Sequence, residues 1–469
     1  MRLHRMLRVL GLCLLAPPLF AGSISAAYYS ELDGSFNPGL PGRVPLLFDQ
    51  AGTQLTDLGI HAFSDPITGS ITSVALVDIN HADANLVGIG LARHLYTGAL
   101  DTSFQSAGKR VKDAFLTSVV DACQDPNGRI VVAGMTPGAN GSGGNKDLAL
   151  VRFNADGSDD TSFAGDGGLA FSWNDGLGNE YDEAIRDIEC LPNGNIVVVG
   201  WHDAGFGRSA FVVEKPGNGD DANIRARAFG TASGYEGVAS FVAPTADGIM
   251  IAFQQTGPTS SAYLQFLTPD GSGYIQTPGH ADVIASASNG NVCGGLASPQ
   301  FFGATMVGSN DYVVSGVRHD GVSLIPILLR VQFGDNTLIY CSDVDFGTAN
   351  AFITPPVLIG DKVFVALGLQ PLASGPLTSR LRAYQVPSNG SALTPAPGFG
   401  SNGMAQWSYP YNTASANNNR SFVQRLFLDP AYGLMAVGSR IYNGNDTDVV
   451  LARFGSAGVF NNGFETTDQ

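Results

Sequence analysis

A tight turn followed by a run of β-branched residues recurs along this chain. The two clearest copies open at Cys123, which begins CQDPNGRIVVAG, and at Cys190, which begins CLPNGNIVVVG. Asn-Gly is a strong hairpin pattern because both residues tolerate positive φ angles. Weaker copies of the turn occur at 65–69, 247–248, 309–311, 360–361 and 429–433. The seven turns are about 61 residues apart on average, a spacing typical of repeat architectures.

Two further elements follow most of these turns. The second element ends in arginine and is clearest at Arg93 and Arg152; the third reads Asp-Thr-Ser-Phe and begins eight residues later, at Asp101 and Asp160. Weaker copies of the second element lie at 329–330, 381–382 and 451–453. Relatives of the third lie at 33–36, 229–230, 343–346 and 399–400, with a degenerate copy around Tyr274.

The order of the elements predicts a closed ring. The chain has a third element at 33–36 with no hairpin before it, and a hairpin with its Leu-Ala-Arg strand at 422–454 with no third element after it. These two incomplete units complement each other, and radial closure protects the edges that an open sheet would expose. We therefore predict an all-β fold, a single β-propeller with seven blades, closed by pairing of the N- and C-terminal strands. An array of two-sheet sandwiches is the alternative.

The strand composition agrees with this prediction. The runs 130–133, 196–199 and 363–367 are continuously apolar, a pattern that indicates burial on both faces. No amphipathic stretch of helical period is evident, so helices should be few. Because one repeat of about 60 residues cannot bury enough surface alone, residues 28–458 should fold as one cooperative domain.

The N-terminus has the pattern of a secretion signal. Residues 1–27 combine three early arginines, a short apolar run and the small residues Ser25 and Ala27 that suit cleavage after Ala27. A membrane anchor is the alternative, but the apolar run is short and prolines follow it. We therefore expect a secreted or periplasmic protein without a membrane span, ending in a short tail at 459–469.

Four cysteines lie beyond the predicted signal. They are Cys123, Cys190, Cys293 and Cys341. An even number in an exported chain indicates two disulfides, and three connectivities are open. Pairing of neighbours, Cys123 with Cys190 and Cys293 with Cys341, is preferred. Free thiols are less compatible with an oxidising compartment. The sequence contains no Cys-x-x-Cys pair, so a metal site formed by these cysteines is not indicated.

The repeat is similar to a known family. The segment 150–163, LVRFNADGSDDTSF, together with 125–134, DPNGRIVVAG, resembles the delta-60 repeat family of bacterial β-propeller proteins. The resemblance covers about a third of the chain and implies an exported propeller with no established activity. The ending VFNNGFE resembles a tail found on some exported proteins of Gram-negative bacteria.

The recurring arginine and the aspartate after it could form one ion pair per blade. Arg152 with Asp160 and Arg93 with Asp101 are the clearest pairs, and a guanidinium can hold a carboxylate with two hydrogen bonds. We assign these four residues and the four cysteines a structural role. At Gln265 the repeat has lost its arginine.

Two motifs resemble ligand sites but are explained by turns. Residues 398–403, GFGSNG, match a dinucleotide fingerprint, yet no helical pattern follows them. Asn154, Asp156, Ser158 and Asp160 alternate oxygen-bearing side chains as in a calcium loop, without its closing glutamate. Asx-turn residues in a hairpin account for this second pattern. We expect no cofactor, with calcium as the alternative.

No catalytic motif stands out. Six of the seven histidines lie beyond the predicted signal, at 61, 81, 94, 202, 280 and 319, and show no metal-ligand spacing; neither Gly-x-Ser-x-Gly nor a P-loop occurs. His202 and Asp203 are predicted to follow the end of a strand. A surface turn is a simpler interpretation of this position than a ligand site. The net charge of −16 argues against nucleic acid as a partner.

These observations favour a non-enzymatic binding or scaffold protein, a monomer that holds a protein or glycan on one face of the ring. The alternative is an extracellular hydrolase or lyase acting on glycans or small esters in the central channel. An enzyme should show acidic or histidine side chains with perturbed pKa values converging on the channel. A binding protein should show an aromatic or apolar patch on one rim.

Overall fold

The computed structural model covers the ring but not all of the chain. It describes residues 32–37, 39, 42–48, 56–79, 86–105, 107–137, 145–172, 182–203, 207–220, 224–229, 236–256, 261–271, 273–277, 283–286, 297–319, 322–333, 338–346, 352–368, 379–407, 420–430, 433–442 and 446–455. The predicted signal at 1–27 and the predicted tail at 459–469 lie outside the described residues.

The described residues form strands and turns, and they contain no helix. The first fifteen strands are β1 (Arg43–Leu46), β2 (Asp57–Ser64), β3 (Ile71–Asp78), β4 (Val87–His94), β5 (Lys109–Leu116), β6 (Ser118–Gln124), β7 (Ile130–Pro137), β8 (Lys146–Phe153), β9 (Gly168–Phe171), β10 (Glu183–Cys190), β11 (Ile196–Asp203), β12 (Arg208–Lys215), β13 (Arg225–Phe229), β14 (Glu236–Pro244) and β15 (Ile249–Thr256). The next fifteen are β16 (Ser261–Asp270), β17 (Gly273–Gln276), β18 (Val283–Ser286), β19 (Ala297–Gly308), β20 (Asp311–His319), β21 (Leu324–Gln332), β22 (Leu338–Asp343), β23 (Val357–Ile359), β24 (Lys362–Ala366), β25 (Ser379–Gln385), β26 (Thr394–Pro395), β27 (Met404–Trp407), β28 (Arg420–Asp429), β29 (Gly433–Tyr442) and β30 (Asp446–Arg453). None of the described segments could cross a bilayer as a helix.

These strands form seven antiparallel sheets, the blades of a β-propeller. Blades 1 to 3 are β2–β5, β6–β9 and β10–β13; blades 4 to 6 are β14–β18, β19–β22 and β23–β27; blade 7 is β28–β30 with β1. The first strand of each blade contacts the first strands of its two neighbours, and β28 contacts β2. The first strands therefore line the central channel, and the predicted seven-bladed propeller is confirmed.

The two ends of the chain close the ring within blade 7. Strand β1 pairs antiparallel with β30, with Val44 opposite Leu451, and Leu32 forms a bridge with Phe454. The Asp-x-Ser-Phe element is not itself a strand: residues 33–36, like 101–104 and 160–163, form turns that lead into the outermost strand. Closure by terminal pairing is thus confirmed, with 43–46 rather than 33–36 as the closing strand.

All seven predicted turns connect the first and second strands of a blade. In the two clearest copies the glycine has a positive φ angle, 78° at Gly128 and 85° at Gly194. An L side chain rarely adopts this conformation, which explains why Asn-Gly marks the turn.

The hydrophobic core consists of seven clusters, each between two neighbouring blades. The predicted doubly buried runs supply both sides of these clusters; Ile196 and Val198 face blade 2, whereas Val197 and Val199 face blade 4. Each blade is therefore stabilised by both neighbours, as expected of a repeat too small to fold alone.

Candidate functional site in the central channel

The arginine–aspartate contacts predicted from the repeat are present. Arg93 Nε lies 2.7 Å from Asp101 Oδ2, and Arg152 Nε lies 2.8 Å from Asp160 Oδ2. In both repeats the serine hydroxyl of Asp-Thr-Ser-Phe donates to the other carboxylate oxygen, at 2.6 Å in blade 1 and 2.5 Å in blade 2. These contacts fix the turn before the outer strand, and their contribution to stability remains a prediction.

A third copy of this contact spans the closure of the ring. Arg453 Nε lies 2.8 Å from Asp33 Oδ2, and the guanidinium lies 4.6 Å above the ring of Phe36. Its Nη1 donates to the carbonyl of Tyr96 in blade 1 at 2.6 Å. Arg152 likewise donates to the carbonyl of Gly217 in blade 3. Each arginine therefore connects its own blade to the next one, a link that the sequence did not indicate.

The degenerate repeats use different partners. In blade 5, Arg330 pairs with Asp311 at 2.6 Å rather than with the aspartates of 343–346. In blade 6, Arg382 donates to the carbonyl of Asp345. In blade 3, Glu214 occupies the register position of the arginine and pairs with Arg225 at 2.9 Å.

Cys123 and Cys190 form a disulfide, with their Cα atoms 5.5 Å apart. The bond joins the channel-lining strands of blades 2 and 3 close to their turns. Cys293 lies outside the described residues, so its pairing with Cys341 stays a prediction.

The two motifs that resemble ligand sites are turns in the structure. Residues 398–403 connect β26 to β27 with no helix after them, and Phe399 is buried between blades 6 and 7. In 154–160, Asp156 Oδ1 accepts hydrogen bonds from the amide and the hydroxyl of Ser158, at 2.9 Å and 2.6 Å. These oxygens serve the turn.

The histidines are dispersed. His81 and His280 lie outside the described residues, and His94 is buried at the end of β4, where burial and Lys109 lower its pKa to about 4. His202 and Asp203 belong to β11 instead of following it, and His202 is buried. Among the histidines that the structure describes, His61 is the one that lies in the channel with other ionisable groups.

Four channel residues occupy the same position in four blades. A β-bulge interrupts the first strand of blades 1, 2, 3 and 7, and a polar residue directly follows each bulge. These residues are His61, Asp121, Asp187 and Arg425. Bulges redirect the side chains of a strand, and Glu189 follows Asp187 by two residues on the same strand. We call these five residues the channel cluster.

Arg425 is the centre of the channel cluster. Its Nη1 lies 2.6 Å from Asp121 Oδ2, and its Nη2 lies 3.9 Å from Asp187 Oδ1. Blades 7 and 2 are not neighbours, so the contact with Asp121 runs along the channel past blade 1. Backbone amides orient both carboxylates, because Ala122 donates to Asp121 at 2.7 Å and Val242 to Asp187 at 2.9 Å.

His61 is held as a neutral imidazole. Its Nδ1 lies 3.1 Å from the carbonyl of Ala62, and its ring stacks on Phe63 with centroids 4.3 Å apart. Since a carbonyl can only accept, Nδ1 carries the proton and Nε2 is left with a lone pair. Burial, followed by the charge of Arg425, lowers the pKa of His61 to about 4.

The acidic members have raised pKa values. Burial and then the charge of Asp121 raise the pKa of Asp187 well above its ordinary value, although Arg425 opposes this. Burial also raises the pKa of Glu189 to about 7. Burial would lower the pKa of Arg425, but the three carboxyl groups raise it. Burial thus favours the neutral form of Asp187, Glu189 titrates near neutral pH and Arg425 is charged.

This arrangement can accept hydrogen bonds and can exchange a proton near neutral pH. Within the described part of the chain, no group of three or more His, Cys, Asp or Glu side chains is placed to hold a metal ion. The cluster contains no serine, cysteine or lysine that could act as a nucleophile.

The channel cluster escaped the sequence analysis although a signal was present. Each of the four bulge residues lies four positions before the start of the turn that joins the first two strands of its blade. The pairs are His61 and Asp65, Asp121 and Asp125, Asp187 and Leu191, and Arg425 and Asp429. Alignment of the repeats on their turns would have shown polar residues at one position of an otherwise apolar strand.

Comparison with known proteins shows likeness at the level of structure. No protein-family model and no curated protein matches the sequence. Prolyl oligopeptidase B from Galerina marginata is 11% identical with a TM-score of 0.41, over 82% of this chain and 47% of that one. Pyrococcus horikoshii acylaminoacyl peptidase is 9% identical with a TM-score of 0.40, over 83% and 52%. The chain thus spans about half the length of these two proteins.

A third similar structure is a propeller alone. The Nup133 β-propeller domain of Vanderwaltozyma polyspora is 8% identical with a TM-score of 0.38, over 84% of this chain and all of that domain. These likenesses concern the propeller fold and carry no assignment of activity.

Proposed function

We propose that this protein is an exported binding protein that holds a cationic group of its partner, an amine or a guanidinium, in the central channel. The observation that carries the proposal is the composition of the channel cluster. Three carboxyl groups surround a single guanidinium, that of Arg425. The cluster therefore has fewer positive charges than it has carboxyl groups.

The raised pKa values of Asp187 and Glu189 are consistent with this deficit of positive charge. A buried carboxyl group without enough neighbouring positive charge stays protonated because its charged form is poorly solvated. A cation placed beside Asp187 and Glu189 would supply the missing charge and lower both pKa values. Binding should therefore be accompanied by release of protons.

The acceptors around this position are complementary to an amine or guanidinium. Glu189 and the Oδ1 of Asp187 offer carboxylate oxygens, and Nε2 of His61 offers a lone pair. Asp121 remains paired with Arg425. A charged donor and a carboxylate form the stronger class of hydrogen bond, so a lysine or arginine side chain of a protein partner fits this site.

The disulfide supports the exported location, because such bonds persist in oxidising compartments. Membership of the delta-60 repeat family and cleavage after Ala27 remain part of this proposal. The acidic net charge of the chain, −16, also favours cationic partners through electrostatic attraction.

Calorimetric titration with agmatine tests the proposal. Titrations at pH 7 in phosphate and in HEPES, which differ in ionisation enthalpy, report the protons released. We expect binding with proton release, and weaker binding by the Glu189→Gln variant. The Asp361→Asn variant, which removes one charge from a turn of blade 6, is the control and should bind as the wild type does. Equal binding of agmatine and uncharged butanol, or no effect of Glu189→Gln, would contradict the proposal.

Glu189 also favours a second candidate function, a hydrolase or lyase active in the channel. A carboxyl group with a pKa of about 7 suits general acid–base catalysis at neutral pH. A screen of glycan and ester substrates tests this candidate. Turnover that depends on pH near 7 and disappears in Glu189→Gln, but not in Asp361→Asn, would support it over the binding protein.

A further inference from the structure

A cavity lies between blades 3 and 4, apart from the channel cluster. Its volume is about 250 Å³, and its walls come from β13, β15 and β16. The side chains that give it chemical character are Arg227, Phe229, Phe253, Gln255, Tyr263 and Gln265. Blade 4, which supplies four of these six side chains, is one of the degenerate copies of the repeat.

Three aromatic rings form one wall of the cavity. Phe253 and Tyr263 are directly opposite each other on β15 and β16, and their rings are stacked with centroids 4.7 Å apart. Phe229 of blade 3 extends the stack, with its centroid 5.0 Å from that of Phe253. The stack crosses from one blade to the next and offers a rigid apolar surface at a low cost in side-chain entropy.

Arg227 supplies a positive charge beside this wall. Its guanidinium lies 5.1 Å from the centre of the Phe229 ring, and Nη1 donates to the carbonyl of Tyr274 at 3.4 Å. Arg227 forms no ion pair with a carboxylate within the described ranges, whereas Arg225, two residues earlier, pairs with Glu214. Such an arginine is unexpected in a chain with 41 acidic and 25 basic residues. The planar guanidinium of Arg227 can donate two parallel hydrogen bonds to a carboxylate.

The glutamines add directional hydrogen-bonding groups. Tyr263 donates to Oε1 of Gln255 at 3.2 Å, and Gln255, which lines the cavity, also carries an NH₂ group that can donate. The sequence repeat placed Gln265 at the arginine position, but the strand register places Phe266 there, opposite Met250. Arg227 is the cationic side chain among the described residues that line this cavity.

We propose that the cavity between blades 3 and 4 binds a carboxylate that carries a single ring, with the carboxylate on Arg227 and the ring against the aromatic wall. The size of the cavity sets the limit of one ring, because sites for drug-sized ligands measure about 300–1,000 Å³. An aromatic acid and an acidic sugar share this chemistry. The site is independent of the channel cluster and has the opposite charge preference.

Ligand-observed NMR and calorimetry test the proposal with four probes. Benzoate and glucuronate carry the carboxylate, and benzyl alcohol and glucose are their uncharged counterparts. We expect one or both acids to bind and the uncharged probes to bind much more weakly. Tighter binding of benzoate would identify the ring of the ligand as aromatic, and tighter binding of glucuronate would identify it as a sugar. Failure of both acids to bind at millimolar concentration, or equal binding of acid and uncharged probe, would overturn the proposal.

Variants of Arg227 give the second test. Loss of a charge-assisted hydrogen bond should weaken acid binding about tenfold to a hundredfold in Arg227→Gln. Arg318→Gln removes the same charge from blade 5 and should leave acid binding unchanged. Arg227→Lys, which retains the charge but loses the fork, should fold as the wild type and still bind more weakly. Unchanged acid binding by a folded Arg227→Gln or Arg227→Lys protein would refute the assignment, and agmatine binding in the channel should be unaffected by either.

Discussion

Replacement of Arg152 by methionine should destabilise the whole ring. Methionine retains the length and the apolar stem of the side chain but removes the guanidinium. Asp160 would then be left buried with only a longer contact to a cation, 3.6 Å from its Oδ2 to Nη1 of Arg129. Both side chains are well covered, with only 2% of Arg152 and 6% of Asp160 exposed.

Two comparisons set the magnitude of this effect. Removal of one partner from a buried ion pair costs about 3–5 kcal/mol when the remaining charge is uncompensated, and Arg129 places Asp160 at the lower end of this range. Arg93→Met is the matched control, since Arg93 and Asp101 form the same contact but are 22% and 14% exposed. A pair nearer to solvent should lose about 1 kcal/mol. For a domain of this length, the larger loss corresponds to a decrease in Tm of about 4 °C.

The effect should depend on pH in a defined direction. Burial by itself would raise the pKa of Asp160, but hydrogen bonds from Ser162 and the contact with Arg152 outweigh it and lower the pKa. The pair therefore contributes stability above the ordinary pKa of an aspartate, and this stability is lost as the pH falls. Arg152→Met should thus be most harmful at neutral pH.

Urea unfolding and thermal denaturation at pH 7 and pH 4 measure these differences. A double-mutant cycle with Asp160→Asn isolates the pair, because the double variant retains neither of its two charges. Equal losses in Arg152→Met and Arg93→Met, or an unchanged Tm in Arg152→Met, would refute the structural role of the repeat's ion pair.

Three further predictions concern the channel, the disulfide and the closure. The raised pKa of Glu189, about 7 against an ordinary 4.5, means that stability present below pH 4.5 is lost as the pH rises to about 7. Glu189→Gln should therefore melt at a higher temperature than the wild type at pH 8 but not at pH 4, and a constant difference would argue against the titration. Joint replacement of Cys123 and Cys190 by serine opens a loop of 67 residues and should cost about 4 kcal/mol in urea unfolding; an unchanged midpoint would contradict this. Leu46→Asp puts a charge into the buried closing strand and should cost at least about 3 kcal/mol, whereas Ile67→Asp, at a position 92% exposed, should change little; similar unfolding midpoints would argue against closure by β1.

The sequence was sufficient for the features that depend on local chemistry. Positive φ angles at Gly128 and Gly194 require the glycines that marked the turns, and strands covered on both faces require the continuous apolar runs. The pairing of Cys123 with Cys190 followed from the same period, because equivalent positions of neighbouring repeats lie side by side in a ring.

The tertiary structure decided which residues meet across the axis. Arg425 and Asp121 are 304 residues apart in the chain, and no local pattern connects them. Ring closure places their strands around one channel, and the bulges direct their side chains. The cavity at Arg227 likewise exists only because β13 of blade 3 packs on β15 and β16 of blade 4. A repeat pattern specifies the blades, but the polar contacts between blades depend on side-chain positions that only the closed ring defines.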